Sequence, residues 1–420
     1  MGSRFYQYLM RLRPSSYTPL MLMAQTCALL GFACYAVVLT TLQEEWHLSN
    51  LESGLIASAF FLGYMLTVPL ATVLTDRLDA RKVYLIGGLF AASGLLGMGL
   101  LASNFWTALL FMAINGAGLA GTYMPGLKIL SDRIKTGELT RHIAFYTAFF
   151  GIGTGFSYLC SGWILSALGW HYVFSIIALG PFTAFLIVLL LIPPLQHEKW
   201  RGPIEIRWHD IFPLEKWKLV LHDKKASGFI FGYSAHSLEL FASRSWLVAF
   251  LGFCATVSGE AFLLAATTLA GVINFFGVPA SILGNEIALR IGRQRWVFIV
   301  MLTSAVMGIG LACSTGQSWW VIVAFAIGHS IFIMADSATL TAGLVISAKE
   351  DIKGAAMGLH SLMGFGGGML GPAIFGLVLD ISGSRSSQIA WVWAYAAVVM
   401  WGVLFVLYER RNGWVSKAVQ

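Results

Sequence analysis

Charge is what this sequence has least of. Asp, Glu, Lys and Arg make up 11% of its 420 residues, against about a quarter in ordinary soluble domains. Apolar residues supply 57%, and mean hydropathy is +0.75. No soluble fold of this length needs so much apolar side chain, so what remains is an all-α polytopic membrane protein. Cysteine is scarce too. Cys27, Cys34, Cys160, Cys254 and Cys313 all fall in apolar runs and lack zinc or redox spacing, which argues against a disulfide framework and a thiolate metal site. There is no GxxxxGK[ST] loop and no HExxH helix. ATP is therefore not the expected energy source, and no metal or other cofactor is expected.

What the chain has in abundance is apolar runs of about 20 residues or more, the length that crosses a bilayer. Twelve are read, near 19–42, 51–74, 83–103, 105–131, 141–167, 171–193, 227–254, 261–289, 296–315, 318–347, 353–381 and 388–408. The first follows a basic start but is span-length and has no small-residue cleavage site, so it reads as a helix and not a signal peptide. Of the 27 Lys and Arg, all but Lys128, Arg244 and Arg385 fall on one side of this pattern. The positive-inside rule makes that side, and both termini, cytoplasmic. The net charge of +7 is then loop charge and calls for no nucleic-acid partner.

Residues 194–226 differ from every other connection. They are polar and basic, with Trp200, Trp208 and Trp217 among the lysines, which predicts short helices lying on the membrane surface. This segment divides the chain into a bundle of six spans over 1–193 and another over 227–420. The halves are alike. TDRLDARKV follows span 2 and LRIGRQRWV follows span 8, and spans 5 and 11 are both Gly-rich. Two related halves with a site between them is a transporter plan.

On these features the chain resembles the major facilitator superfamily over essentially its whole length. The loop after span 2 matches the pattern Gly-x-x-x-Asp-Arg-x-Gly-Arg-Arg/Lys at Asp76, Arg77 and Arg81. Thr72 replaces the first Gly, and Asp79 and Ala80 replace Gly-Arg. The resemblance implies two pseudo-symmetric six-helix bundles and a gating role for Asp76, Arg77, Arg81 and Arg133. Asp76 would face the N-terminus of span 11, where a helix dipole favours a carboxylate, with Arg133 as its partner. Met112 stands where proton-driven drug exporters of the family carry Arg. Span 11 resembles the glycine motif of the nitrate porters at Gly364, Gly366, Gly367 and Gly371, with His360 at its first Gly. Spans 2 and 8 lack those porters' arginines, so nitrate is not expected. Span 7 is similar to that of a bacterial group of cyanate- and nitrate-like permeases, which implies a bacterial inner membrane.

Charges at bilayer depth cost several kcal/mol or more and mark functional cavities. Span 7 carries most of them. Tyr233, His236, Glu239, Ser243 and Arg244 fall within an arc of roughly 140° on an α-helix. His236 and Glu239 are three apart and can touch, which makes a candidate proton-binding pair. Arg244 keeps its charge and offers a fork for a carboxylate, or it neutralises Glu239 or a neighbouring helix. Span 10 adds Asp336 as a proton or ion-pair group, with His329 on the same face as an ordinary satisfied polar residue. The family's cavity is lined by spans 1, 4, 7 and 10, which adds Tyr35, Tyr123 and Asn115. Lys128 reads as a snorkelling side chain near a span end.

Together these features predict a monomeric secondary transporter, with no catalytic residues. Its cargo would be a small organic anion moved by proton symport, with substrate contacts from Arg244, His236, Tyr233, Ser243, Tyr35, Tyr123 and Asn115. Glu239, Asp336 and His236 would carry the coupling. The alternatives are a proton-driven exporter of amphiphiles, or a membrane-embedded enzyme or sensor that keeps the transporter fold.

Overall fold

The structure, a computed structural model, describes residues 16–134, 136–195, 208–259, 264–349 and 352–414. Among these, twelve helices are long and apolar enough to cross a membrane. They are Tyr17–Glu45, Asn50–Arg77, Ala80–Leu100, Phe105–Arg133, Arg141–Leu168, Trp170–Leu191, Lys224–Ser258, Ala266–Ile291, Arg293–Cys313, Trp319–Ser347, Lys353–Ile381 and Gln388–Arg411, hereafter spans 1 to 12. Each matches its expected run to within a few residues. Span 8 begins at Ala266; the expected start at 261 lies outside the described residues. Two short helices, Trp208–Ile211 and Leu214–His222, fall in the central connection.

The span ends follow local chemistry. Asp79 accepts from Arg81 N and caps span 3, and Asp223 caps span 7 through Lys225 N and Ala226 N. Asn104 forms a reciprocal capping box with Thr107 at the start of span 4. Gly259, at φ +65°, ends span 7 in the left-handed region that Gly tolerates.

Contacts cluster the chain into two compact units. The first takes the chain up to Cys34 and Leu62–Phe212; the second takes Tyr35–Phe61 and the chain from Pro213 onward. Within the first unit, spans 3 and 4 meet at Gly87 and Gly121, where a Cβ on either would strike the other's backbone. Within the second, spans 7 and 11 meet the same way. A Cβ at Gly367 or Gly371 would overlap the carbonyl of Ser234 or Leu238. The Gly-rich stretch of span 11 thus packs on the Ser234, Leu238 and Ala242 side of span 7, away from its polar arc.

Spans 1 and 10 are broken with no proline nearby, whereas span 6 is interrupted at Ala178, just ahead of Pro181. Span 1 is helical over Tyr17–Ala28, tightens to a 3-10 turn over Leu29–Gly31, and resumes at Cys34–Glu45. Span 10 runs Trp319–Met334, stops, and restarts at Ser337–Ser347. Backbone groups freed at bilayer depth must find partners inside the protein. Both breaks do, with different chemistry.

Candidate functional site

The polar face of span 7 meets the break in span 10. His236, Glu239, Arg244 and Asp336 are each at most 7% exposed. His236 Nδ1 lies 2.8 Å from Asp336 Oδ1. The imidazole N–H axis misses the oxygen, so this is an electrostatic contact and not an aligned hydrogen bond. Glu239 is held more firmly. Its Oε1 accepts from His329 Nε2 at 3.0 Å and from the Ser304 hydroxyl at 2.5 Å. Arg244 donates from Nη2 to Met334 Sδ at 3.7 Å, at the last residue before the break.

One expectation is corrected here. His236 and Glu239 do not form the pair their spacing allows. Spans 7 and 10 run antiparallel, so moving up one means moving back along the other. His236 therefore meets Asp336, and Glu239, nearly a turn higher, meets His329. Each carboxylate takes an imidazole from the neighbouring helix in preference to its own. The satisfied polar role expected for His329 is met by Glu239 itself.

His360 and Ser304 belong to the same cluster although the residue pattern did not place them there. Buried His360 stacks on Tyr233 with ring centroids 3.9 Å apart at 16°, and Tyr233 lies 5.6 Å from His236 at 17°. Three nearly parallel rings run from span 11 to span 7. Thr341 Oγ1 lies 3.3 Å from His360 Nε2. A lone histidine among span 11 glycines was the available signal; a serine in span 9 gave none. Ser243 is buried beside this cluster in sequence, and its hydroxyl makes no hydrogen bond among the described residues.

The remaining candidates occupy other places. Tyr35 is buried, with Ser53 as the polar neighbour of its hydroxyl. Asn115 and Tyr123 belong to the first unit. Asn115 Nδ2 donates to Gly31 O at 3.3 Å, the carbonyl at the span 1 break. Ser157 completes that repair: its hydroxyl accepts from Ala33 N at 2.9 Å and donates to Leu30 O. Tyr123 stacks on Tyr146 and meets Phe150 edge-on. Lys128 pairs with Asp132 one turn on.

In the loop after span 2, Asp76 is exposed, and Arg133 reaches Asp79, not the expected Asp76, at 3.7 Å. Asp76 sits on the last turn of its helix, whereas Asp79 is the cap of the next one. Asp79 also accepts from Leu195 N at 3.0 Å. Arg81 donates to Ile192 O at 2.7 Å and Leu189 O at 2.8 Å, covering the open carbonyls that end span 6. At the other end of the pattern, Asp380 caps the start of span 2 through Asn50 N and Leu51 N, and Arg385 bonds Gln43 and Glu44.

Twelve apolar helices and a buried cluster of ionisable groups where span 10 breaks define a polytopic membrane protein of transporter type. The profile described as Major Facilitator Superfamily matches residues 21–372, and the chain belongs to that family. Membership makes it a multi-pass membrane transporter and not an enzyme. Monocarboxylate transporter 6 of Homo sapiens is 22% identical over 412 residues, covering 91% of this chain and 79% of that protein. The niacin transporter NiaP of Acinetobacter baylyi is 30% identical over 174 residues, 40% of this chain and 38% of its own length. Spinster homologs are likewise matched over only 32% of their length. A solved bacterial homolog of the human lysosomal transporter Spinster superposes with a TM-score of 0.72, at 17% identity over 95% of this chain and 96% of that one. The likeness shows that the fold is shared.

Proposed function

We propose that this chain is a secondary transporter that carries a small organic anion of carboxylate type together with protons. It works by alternating access in a bacterial inner membrane, with both termini cytoplasmic. The observation that carries this reading is the gathering of Arg244, His236 and Asp336 at one break in span 10, with Glu239 and His329 a turn away. A permanent cation at this depth is worth desolvating when it meets an anion. Buried carboxylates and imidazoles facing one another inside the membrane are the side chains from which proton relays are built. The names of two relatives agree in chemistry, since monocarboxylates and niacin are both carboxylates. Ser243, Tyr233 and Tyr35, all of the second unit, complete the proposed cargo surface. Asp76, Arg77, Arg81 and Arg133 serve gating at the cytoplasmic end.

The test is Arg244→Lys, assayed with niacin and short monocarboxylates as probes. Lys keeps the charge and loses the fork. The apparent affinity is expected to fall tenfold or more, about 1.4 kcal/mol. Unchanged affinity, or binding of the corresponding amides as tightly as the acids, would end the carboxylate reading.

A further inference from the structure

We infer that the two carboxylate–imidazole pairs divide their labour: Asp336 is the coupling group, and Glu239 is a fixed anion held by His329 and Ser304 as positioning residues. This rests on the proton-coupled reading above and assigns its chemistry to one of two candidates.

The argument starts from the broken helix. Span 7 is continuous over Lys224–Ser258, while span 10 is two helices. The break falls between the two pairs. His329 lies on the first half, and Asp336 occupies the cap position of the second, where its side chain makes no capping bond. Glu239–His329 therefore ties span 7 to one half of span 10, and His236–Asp336 ties it to the other. Losing one tie leaves the other in place.

The ties differ in how they are built. Glu239 Oε1 takes two aligned donors from two helices, Ser304 of span 9 and His329 of span 10. Two donors from two helices fix where this carboxylate sits. Asp336 Oδ1 faces a single misaligned imidazole. The groups around it are His236 and Glu239 from span 7, Arg244 beside Met334, and His360 of span 11 across the Tyr233 ring. Span 9 brings Trp296, whose Nε1 donates to Ala335 O at 2.9 Å, and span 8 brings Gly284 to the same carbonyl. Most of these act on the backbone of the break or on neighbouring rings; none is a second aligned donor to Oδ1. A proton arriving at Asp336 thus displaces one weak contact, and the second half of span 10 loses its tie to span 7. A proton arriving at Glu239 would instead weaken two charge-assisted hydrogen bonds at Oε1, from two different helices.

The experiment needs no identified cargo. Infrared difference spectra of the purified protein are recorded over about pH 5–8, where exposed carboxylates are already ionised. One titrating carboxyl band is expected in the unaltered protein. It should vanish in Asp336→Asn, move without vanishing in Asp336→Glu, and persist in Glu239→Gln. In Ser304→Ala, Glu239 loses a donor, and its carboxylate stretch, identified by its loss in Glu239→Gln, should shift, which a merely packing serine would not produce. A band that vanishes in Glu239→Gln and persists in Asp336→Asn overturns the division, as does an unchanged spectrum in Ser304→Ala. No titrating carboxyl band at all in the unaltered protein would instead remove the proton-coupled reading beneath it.

Discussion

The breaks in spans 1 and 10 pose one problem and receive two answers. At Leu29–Ala33 the freed backbone is met by Ser157 and Asn115, a hydroxyl and an amide that carry no charge at any physiological pH. At Met334–Ser337 the backbone is met by Trp296, but a carboxylate, an imidazole and a guanidinium also stand at the gap. The first break is closed by neutral bonds that pH cannot alter. The second is built from groups whose charge pH can change. Both are discontinuities of the kind transporters use for binding, yet only the second has the chemistry to respond to a proton.

The contrast can be broken in order of expected effect. Asp336→Asn should remove proton-driven accumulation altogether while leaving solute counterflow, since exchange needs no net proton movement. Stability should change little. Accumulation at the unaltered level in that variant would make the two breaks equivalent. Ser157→Ala should do the opposite. It strands the buried Ala33 N–H at about 1–3 kcal/mol, while Leu30 O keeps the Cys34 thiol, so thermal unfolding in detergent should shift downward while the pH profile of transport keeps its shape. A moved pH profile would mean the first break also senses protons. Asn115→Ala removes one bond to Gly31 O, about 1 kcal/mol. It should show a smaller loss of stability, again without a change in pH dependence.

Most of the architecture was legible because lipid is a strict solvent. About 20 apolar residues are needed per crossing, and the loop charges could be counted against that frame. The site was half legible. The polar arc of span 7 and Asp336 stood out as charges in apolar runs. Their partners did not, because partner choice depends on which turns of antiparallel helices face each other. His236 and Glu239 satisfied a spacing rule that their neighbours outbid. Neither break carries a proline to announce it; LLGFA and MADS read as ordinary helix. Asp79 appeared only as a departure from the family pattern, yet it caps span 3, meets Arg133 and holds Leu195 N.

The central claim is that an anion and a proton cross together. The direct measurement is the external pH of lightly buffered proteoliposomes when a short monocarboxylate or niacin is added outside with no other gradient. Symport consumes external protons whichever way the protein is inserted, so the medium should turn alkaline, and Arg244→Lys should weaken the response. No pH change on addition, or an equal response to the uncharged amide of the same compound, would contradict the account.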